Sequence, residues 1–250
     1  MTTAPLPPAP VASITALLAD LVALPSRAGL DDLAPVARCI TAWFEDRGLR
    51  HRRMNGPNGE PLGLVAEITG GRARGPWVLL DATLDTADFG DPTVWTHAPT
   101  SARVEGGWLH GRGSADSKAG VALFAHLLLE WAQADRSAMA GHPQAAATRI
   151  DWIAGWPPNR VPDSHPMVAA LQAASLEECG VALPARVVGP SNIGNYLAGL
   201  GVPALCGYGV HGHGIHATDE RVRLDSIGPV YRVYRGALRR LFGAGSAPSP

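Results

Sequence analysis

Cysteine and lysine are both scarce in this sequence of 250 residues. The three cysteines, Cys39, Cys179 and Cys206, are far apart and match neither a C-x-x-C metal pair nor a disulfide framework. Lys118 is the only lysine, so scattered arginines carry nearly all of the positive charge. These absences argue against a disulfide-stabilised protein and against a nucleic-acid partner, and they predict a reduced, cytoplasmic compartment.

Long apolar runs and strong net charge are also missing. Charged residues make up 17% of the chain, the formal net charge is −1, and no stretch approaches the roughly 20 apolar residues that a membrane span needs. The first residues lack the basic start and apolar run of a signal peptide. We therefore predict no membrane association, one α/β domain over 10–242, and loose tails over 1–9 and 243–250.

Segments with helical and strand-like patterns alternate along the chain. Helices are predicted over 11–24, 31–47, 117–131, 164–179, 192–200 and 227–241, strands over 50–53, 62–68, 77–80, 149–154, 186–188 and 203–208, and a hairpin over 103–110. This alternation predicts a three-layer α/β sandwich with a mixed, mostly parallel sheet flanked by helices.

Two polar residues follow the predicted strand over 77–80. Thr83 and Asp85 are two positions apart, so on an extended chain their side chains point the same way. Open α/β sheets bind ligands at such strand ends. Both side chains are therefore expected at a ligand-binding edge.

A glycine-rich turn over 111–118, with the sequence GRGSADSK, places Asp116 at the start of a helix. The helix dipole favours a carboxylate at that position. An aspartate that merely caps the helix is the alternative interpretation, and capping aspartates are common.

Three histidines lie within six residues after an apolar segment near the end of the chain. They are His211, His213 and His216, in a loop that also contains Asp219 and Glu220. Histidine is the commonest metal ligand, and glycines let such a loop bend around an ion. A solvated glycine-rich loop is the alternative, so the cluster is a hypothetical metal site.

The order of these motifs resembles a known family. It consists of a strand followed by x-x-D-T, a Trp-Pro stretch over 95–99, G-R-G-x-x-D-x-K over 111–118, and H-x-x-D-E over 216–220. The chain is similar to the co-catalytic zinc peptidase family of aminoacylases, acetylornithine deacetylases, succinyl-diaminopimelate desuccinylases and carboxypeptidase G. The similarity covers roughly 12–133 and 149–241, and the turn over 111–118 is its most specific element.

The resemblance implies a two-zinc amidohydrolase that removes an acyl group or a terminal residue from an amino acid or peptide. On that template Asp116 would bridge the metals, His216 would bind one of them, and Asp85 would orient a histidine ligand. Thr83 stands where that histidine belongs, and a neutral hydroxyl is a poor zinc ligand. Asn192 stands where the family usually has an aspartate.

A second departure concerns the segment after the helix over 117–131. Family members carry there a Glu-Glu pair, comprising the general base and a metal ligand, followed by another acidic ligand and a lid and dimerisation domain. This chain has no counterpart of these elements, which predicts a lid deletion near 132–150. Asp116 and His216 fall short of the three protein ligands of a catalytic zinc, unless His211 or His213 supplies a further one.

Two functions follow as expectations. The first is a metallo-amidohydrolase or peptidase with impaired or altered activity on a small acylated amino acid or peptide, holding one zinc ion or none rather than two. The second is a non-catalytic relative that binds a ligand or a partner protein. Without the lid, the chain is expected to be a monomer or an atypical oligomer.

Overall fold

The computed structural model of the protein describes residues 8–55, 59, 61–68, 78–134, 160–186 and 193–242. The helices in these ranges are α1 (Val11–Val22), α2 (Ala34–Asp46), α3 (Lys118–Ala134), α4 (Pro166–Cys179), α5 (Ile193–Gly199) and α6 (Ile227–Phe242). The strands are β1 (His51–Asn55), β2 (Pro61–Ala66), β3 (Arg103–Glu105), β4 (Trp108–His110), β5 (Gly212–His213) and β6 (Arg221–Arg223). These residues form two compact units. The first contains described residues within 1–71, 78–140 and 210–231, and the second contains those within 141–209 and 232–250.

Helix α1 packs against α3 in the first unit. Its apolar residues recur every three or four positions, so that Ile14, Leu17, Leu18, Leu21 and Val22 are all buried. Helix α3 contributes Ala119, Ala122, Leu123, Ala125 and Leu127. Polar contacts fix the pair at both ends, because Ser13 Oγ lies 2.8 Å from His126 Nε2 and the Lys118 ammonium donates to the carbonyl oxygen of Leu21 at 2.9 Å. The start of α3 is thereby held beside the end of α1.

Four short antiparallel strands form a sheet in the order β3-β4-β6-β5. Leu109 of β4 pairs with Val222 of β6, and both side chains are fully buried. The amide of Gly111, just after β4, donates to the carbonyl oxygen of Glu220, just before β6, at 2.9 Å. The sheet thus brings the glycine-rich turn and the end of the histidine loop together.

The predicted helices agree closely with the structure. Helices α1, α2, α3, α4, α5 and α6 lie at the six predicted positions, with ends that differ by a few residues. The hairpin over 103–110 is formed by β3 and β4, and the first two predicted strands form the antiparallel pair of β1 and β2. Mixed helices and strands fit the predicted α/β class.

The predicted mixed, mostly parallel sheet is not confirmed in the described residues, where both sheets are antiparallel. Residues 78–80 and 203–208 form no strand, and the one parallel pairing in the described ranges is an isolated bridge between Arg27 and Thr86. Exposure explains the difference at residues 78–80. Leu79 is 63% exposed, so this part of the apolar run is not covered on both faces as a central strand would be.

Several predictions fall wholly or mainly on residues outside the described ranges. These are the strand over 149–154, most of the strand over 186–188, the tails apart from residues 8 and 9, and most of the lid deletion near 132–150. They stay predictions, as does the single domain over 10–242.

The second unit is organised by α4 and the part of α6 that follows residue 231. Small side chains let these segments approach closely, since Ala170 and Ala174 pack against Val233 and Ala237. No helix in the described ranges is long and apolar enough to cross a membrane.

Candidate functional site

The turn between β4 and α3 depends on two glycines. Gly111 has φ 143° and Gly113 has φ 81°, conformations that side chains with a Cβ rarely adopt. The turn is closed by backbone hydrogen bonds from Arg112 to Pro99 at 2.7 Å and from Lys118 to Gly113 at 3.0 Å. Asp116 therefore leaves the turn just ahead of α3, as the sequence predicts.

The side chain of Glu220 stabilises this turn. Its carboxylate is fully buried and accepts hydrogen bonds from the guanidinium of Arg112 at 2.9 Å and from the amides of Ala115 and Asp116 at 3.1 Å each. A buried charge is tolerated only when it is paired and hydrogen-bonded, and these contacts meet that requirement. Glu220 thus positions the backbone that carries Asp116.

The loop that carries His216 is held by its own polar contacts. Asp219 accepts hydrogen bonds from the amide and the hydroxyl of Thr96 at 2.8 and 2.9 Å. His216 and Asp219 both have positive φ, of 61° and 59°. The loop reverses direction here and returns to β6.

His216 and Asp116 meet directly. His216 Nε2 lies 2.7 Å from Asp116 Oδ2, although 100 residues separate them along the chain. The side chains are 64% and 41% exposed. An imidazole held by a carboxylate can exchange a proton with solvent or contribute a nitrogen beside an oxygen to a cation.

Thr83 lies beside this pair through Ser117, the residue after Asp116. The Thr83 amide donates to Ser117 Oγ at 2.8 Å, and the two hydroxyl oxygens are 3.0 Å apart. The structure therefore places Thr83, where the resemblance puts a histidine, against Ser117, the residue after Asp116. Ser117 was not among the predicted site residues, and its position in the turn motif is the signal that could have indicated it.

Of the other predicted site residues in the described ranges, none is hydrogen-bonded or ion-paired to the side chain of Asp116 or His216. The half-buried Asp85 makes no side-chain hydrogen bond or ion pair with any described residue. The His211 amide donates to Ser226 Oγ at 3.0 Å, and His213 is exposed on β5. Asn192 lies outside the described residues.

The donor set of the site does not fit a catalytic zinc ion. Within the ranges that the structure describes, no group of three or more His, Cys, Asp or Glu side chains could hold a metal. Catalytic zinc sites use three protein ligands and leave the fourth position open. Asp116 and His216 supply two, and neither His211 nor His213 completes a group of three with them.

Two further residues that were missed on sequence grounds are Arg112 and Glu220. Both belong to the motifs that carry the resemblance, and both are almost completely buried as an ion pair. Burial cannot be read from a motif, because charged residues are usually exposed. The signal available was the place of the two residues in the motifs, Arg112 in the turn over 111–118 and Glu220 in the acidic pair at 219–220.

Lys118 is a third buried charged residue of this region. Its ammonium donates to the carbonyl oxygens of Leu21 and Leu24 at 2.9 Å each. Burial lowers its pKa from 10.5 to about 8, against the opposing influence of Glu220 and Asp31. Lys118, a lysine with a lowered pKa, thus joins the turn over 111–118 to the end of α1.

This pKa predicts a pH-dependent stability. Between pH 8 and about 10.5 the unfolded chain binds the Lys118 proton while the folded chain has released it, so raising the pH favours the folded state. We expect the free energy of unfolding, measured with urea, to rise over this window relative to the Lys118→Met variant. Parallel pH curves for the two proteins would contradict the assignment.

Comparison with known proteins agrees with the motifs. The family model described as peptidase family M20/M25/M40 matches residues 79–141 and 139–240, more than half of the chain. The chain belongs to this peptidase family. Both halves of the site described above, the turn over 111–118 and the loop that contains His216, lie within the matched residues, so the resemblance stated from sequence is confirmed.

Relatives in this family include desuccinylases. The chain is 33% identical over 126 residues to the succinyl-diaminopimelate desuccinylase of Xanthobacter autotrophicus (strain ATCC BAA-1158 / Py2), covering 50% of this chain and 32% of that protein. It is 47% identical over 53 residues to that of Methylobacterium sp. (strain 4-46), covering 21% and 13%. The matches thus span about a third or less of these relatives' length.

A solved structure supports the family fold. The M20 family metallo-carboxypeptidase Sso-CP2 from Sulfolobus solfataricus matches with a TM-score of 0.70 over 91% of this chain and 98% of that chain, at 10% identity. The likeness is one of fold, and it agrees with an α/β family member. That protein is a metallo-carboxypeptidase, so metal dependence is a property of that protein.

Proposed function

We propose that this chain is a metallo-amidohydrolase-family protein whose own hydrolysis of small acylated amino acids or peptides is impaired. The observation that carries the proposal is the direct contact of Asp116 with His216 at 2.7 Å, in a site with two donors instead of three. Such a pair binds one zinc ion weakly or none. Hydrolysis also requires a third metal ligand and a general base, and the lack of both supports impaired activity.

The first requirement is a third ligand. Thr83 lies beside Asp116 through Ser117, at the place where the family resemblance puts a histidine. A threonine hydroxyl is not among the usual zinc ligands, whereas an imidazole is. With threonine in place of histidine at position 83, the site therefore lacks a ligand that the family resemblance expects there.

The second requirement is a base. Members of the family use a Glu-Glu pair, and this chain has no glutamate between Glu130 and Glu177. Glu177 and Glu178 instead form ion pairs with Arg240 and Arg232 in the second unit. Because a positioned base typically contributes 10²–10⁴-fold to rate, its loss is expected to leave little hydrolysis.

The names of the relatives suggest the ligand class. Succinyl-diaminopimelate desuccinylases act on an N-succinyl amino acid, so N-succinyl and N-acetyl amino acids and dipeptides are the compounds to test on this chain. We further propose a cytoplasmic protein that lacks the lid of the family and is a monomer or associates through an atypical surface.

A zinc titration tests the metal site. Thr83→His places an imidazole next to Asp116, so we expect zinc affinity to rise by about 10–100-fold, and His216→Ala is expected to abolish binding. Calorimetric titration of zinc into the wild type and both variants measures this. Ala16→His is the control, because it adds a histidine on the exposed face of α1 and should leave affinity unchanged.

Hydrolysis is measured on the same proteins. We expect no chelator-sensitive cleavage of N-succinyl-diaminopimelate, N-acetyl amino acids or dipeptides by the wild type or by Thr83→His, since neither has the glutamate base. Robust cleavage by the wild type that disappears in His216→Ala would overturn the proposal and make this chain a working metallohydrolase. If the wild type, Thr83→His and His216→Ala all bind zinc with the same affinity, Asp116 and His216 form no metal site.

A further inference from the structure

The four-stranded sheet carries a row of basic side chains across all of its strands. Arg103 of β3 is paired with His110 of β4, His110 with Arg221 of β6, and Arg221 with His213 of β5. Directly paired residues of antiparallel strands lie on the same face of a sheet. These four residues, hereafter the basic face, therefore point to one side.

That side is exposed at its two ends and half-buried at its centre, where His110 and Arg221 lie. Leu109 and Val222 form the neighbouring cross-strand pair, which lies on the opposite face of the sheet, and both side chains are fully buried. In the basic face the side chain of Arg103 is 56% exposed, and His213 is exposed at the edge strand. The buried and exposed rows alternate as expected for a sheet with one face on a core.

Three carboxylates lie near this side, and each has a partner. Asp219, which acts electrostatically on Arg221 and His110, accepts two hydrogen bonds from Thr96. Glu105 contacts Arg103 at 3.2 Å and His97 at 3.1 Å, and Asp225 pairs with Arg223. Arg221 is different, because it makes no ion pair with any residue that the structure describes. The one hydrogen bond that its side chain makes in those ranges goes to the backbone carbonyl oxygen of Asp219, at 3.4 Å.

An aromatic ring fixes the position of this arginine. The guanidinium carbon atoms of Arg221 and Arg223 each lie 5.1 Å from the centre of the Trp108 ring. Cation–π contact of this kind orients a guanidinium without using its N–H donors. Arg221 is therefore half-buried and held in position, with histidines on the strands to both sides, and its guanidinium donates to no carboxylate of the described residues.

We propose that the basic face is a docking surface for an acidic polypeptide segment, with Arg221 as its central contact. Neighbouring strands are about 4.8 Å apart, so the four side chains are spread over roughly 14 Å, a distance suited to several carboxylates of one peptide. Arginine donors bind carboxylates in a planar, two-pronged geometry. A duplex nucleic acid needs many phosphate contacts, and two of the three arginines on this side are already paired with carboxylates.

The test uses a fluorescein-labelled hexaglutamate peptide and the full chain, with binding followed by fluorescence anisotropy at low salt. We expect the wild type to bind, Arg221→Gln to bind about tenfold or more weakly, and added salt to weaken binding of the wild type. Arg52→Gln is the matched control, because Arg52 is an exposed strand arginine in the other sheet and the change in charge is identical. It should change affinity by less than about twofold.

His213→Ala provides a second variant in case Arg221→Gln does not fold, since His213 is exposed on a two-residue edge strand. It should also weaken binding of hexaglutamate, because it removes a donor from the basic face. Three results would each overturn the proposal: no binding of hexaglutamate by the wild type, an equal loss of affinity in Arg52→Gln, or tighter binding of a labelled oligothymidylate than of hexaglutamate.

Discussion

Glu220→Ala is expected to lower the free energy of unfolding by about 3–5 kcal/mol, the usual cost of removing one member of a buried ion pair. The variant leaves the guanidinium of Arg112 buried without its carboxylate and deprives the amides of Ala115 and Asp116 of their acceptor. Urea unfolding followed by circular dichroism measures the loss. If the variant still folds, the turn before α3 is expected to loosen first.

Glu67→Ala is the control for this variant, because Glu67 is an exposed glutamate of the same unit. Its removal should change stability by less than about 0.5 kcal/mol. Replacing Arg112 and Glu220 together by apolar residues should cost less than the sum of the single changes, since no uncompensated charge is left. A loss for Glu220→Ala no larger than that for Glu67→Ala would contradict the buried position of the pair.

Gly111→Ala is expected to destabilise the protein by about 2–5 kcal/mol, from an unfavourable backbone conformation and a steric clash. A Cβ at this position would lie 2.4 Å from Val22 Cγ1 and 2.9 Å from the carbonyl oxygen of Pro99. The carbonyl oxygen belongs to the backbone that closes the turn, so it cannot move away freely. Thermal unfolding of the purified variant measures the effect.

Gly106→Ala is the comparison for a positive φ without a steric clash. Gly106 also has a positive φ, 57°, but a Cβ there would meet nothing within 4 Å. This variant should show the cost of the backbone conformation alone, about 1–2 kcal/mol. Equal losses for the two variants would mean that the clash at Gly111 is relieved without cost.

The helices could be predicted from the sequence because their signal is local. In α1 the apolar side chains recur every three or four residues, and the same holds for the buried residues of α3. Strand pairing depends on partners distant in sequence. The apolar run over 77–80 therefore looked like a covered strand, whereas Leu79 is 63% exposed and the described part of the run joins no sheet.

The site could be predicted only as far as its motifs reach. Asp116 and His216 were identified by the resemblance, and they lie in direct contact. The partners that hold the site depend on burial and on backbone geometry, which motifs do not reveal. Glu220 accepts two backbone amides, and Ser117 contacts Thr83 through a hydroxyl that no spacing rule indicates.

Lys118 has one more consequence, for chemical labelling. The chain has no second lysine, and this one is 1% exposed with its amine directed at two carbonyl oxygens in the core. Burial both lowers the pKa of this amine to about 8 and shields it from reagents, so acylation requires an opening that exposes the amine and returns its pKa toward 10.5. Acetylation of Lys118 therefore reports opening of the contact between α1 and α3. Because trypsin does not cleave after an acetylated lysine, mass spectrometry detects the modification as an uncleaved peptide bond after residue 118.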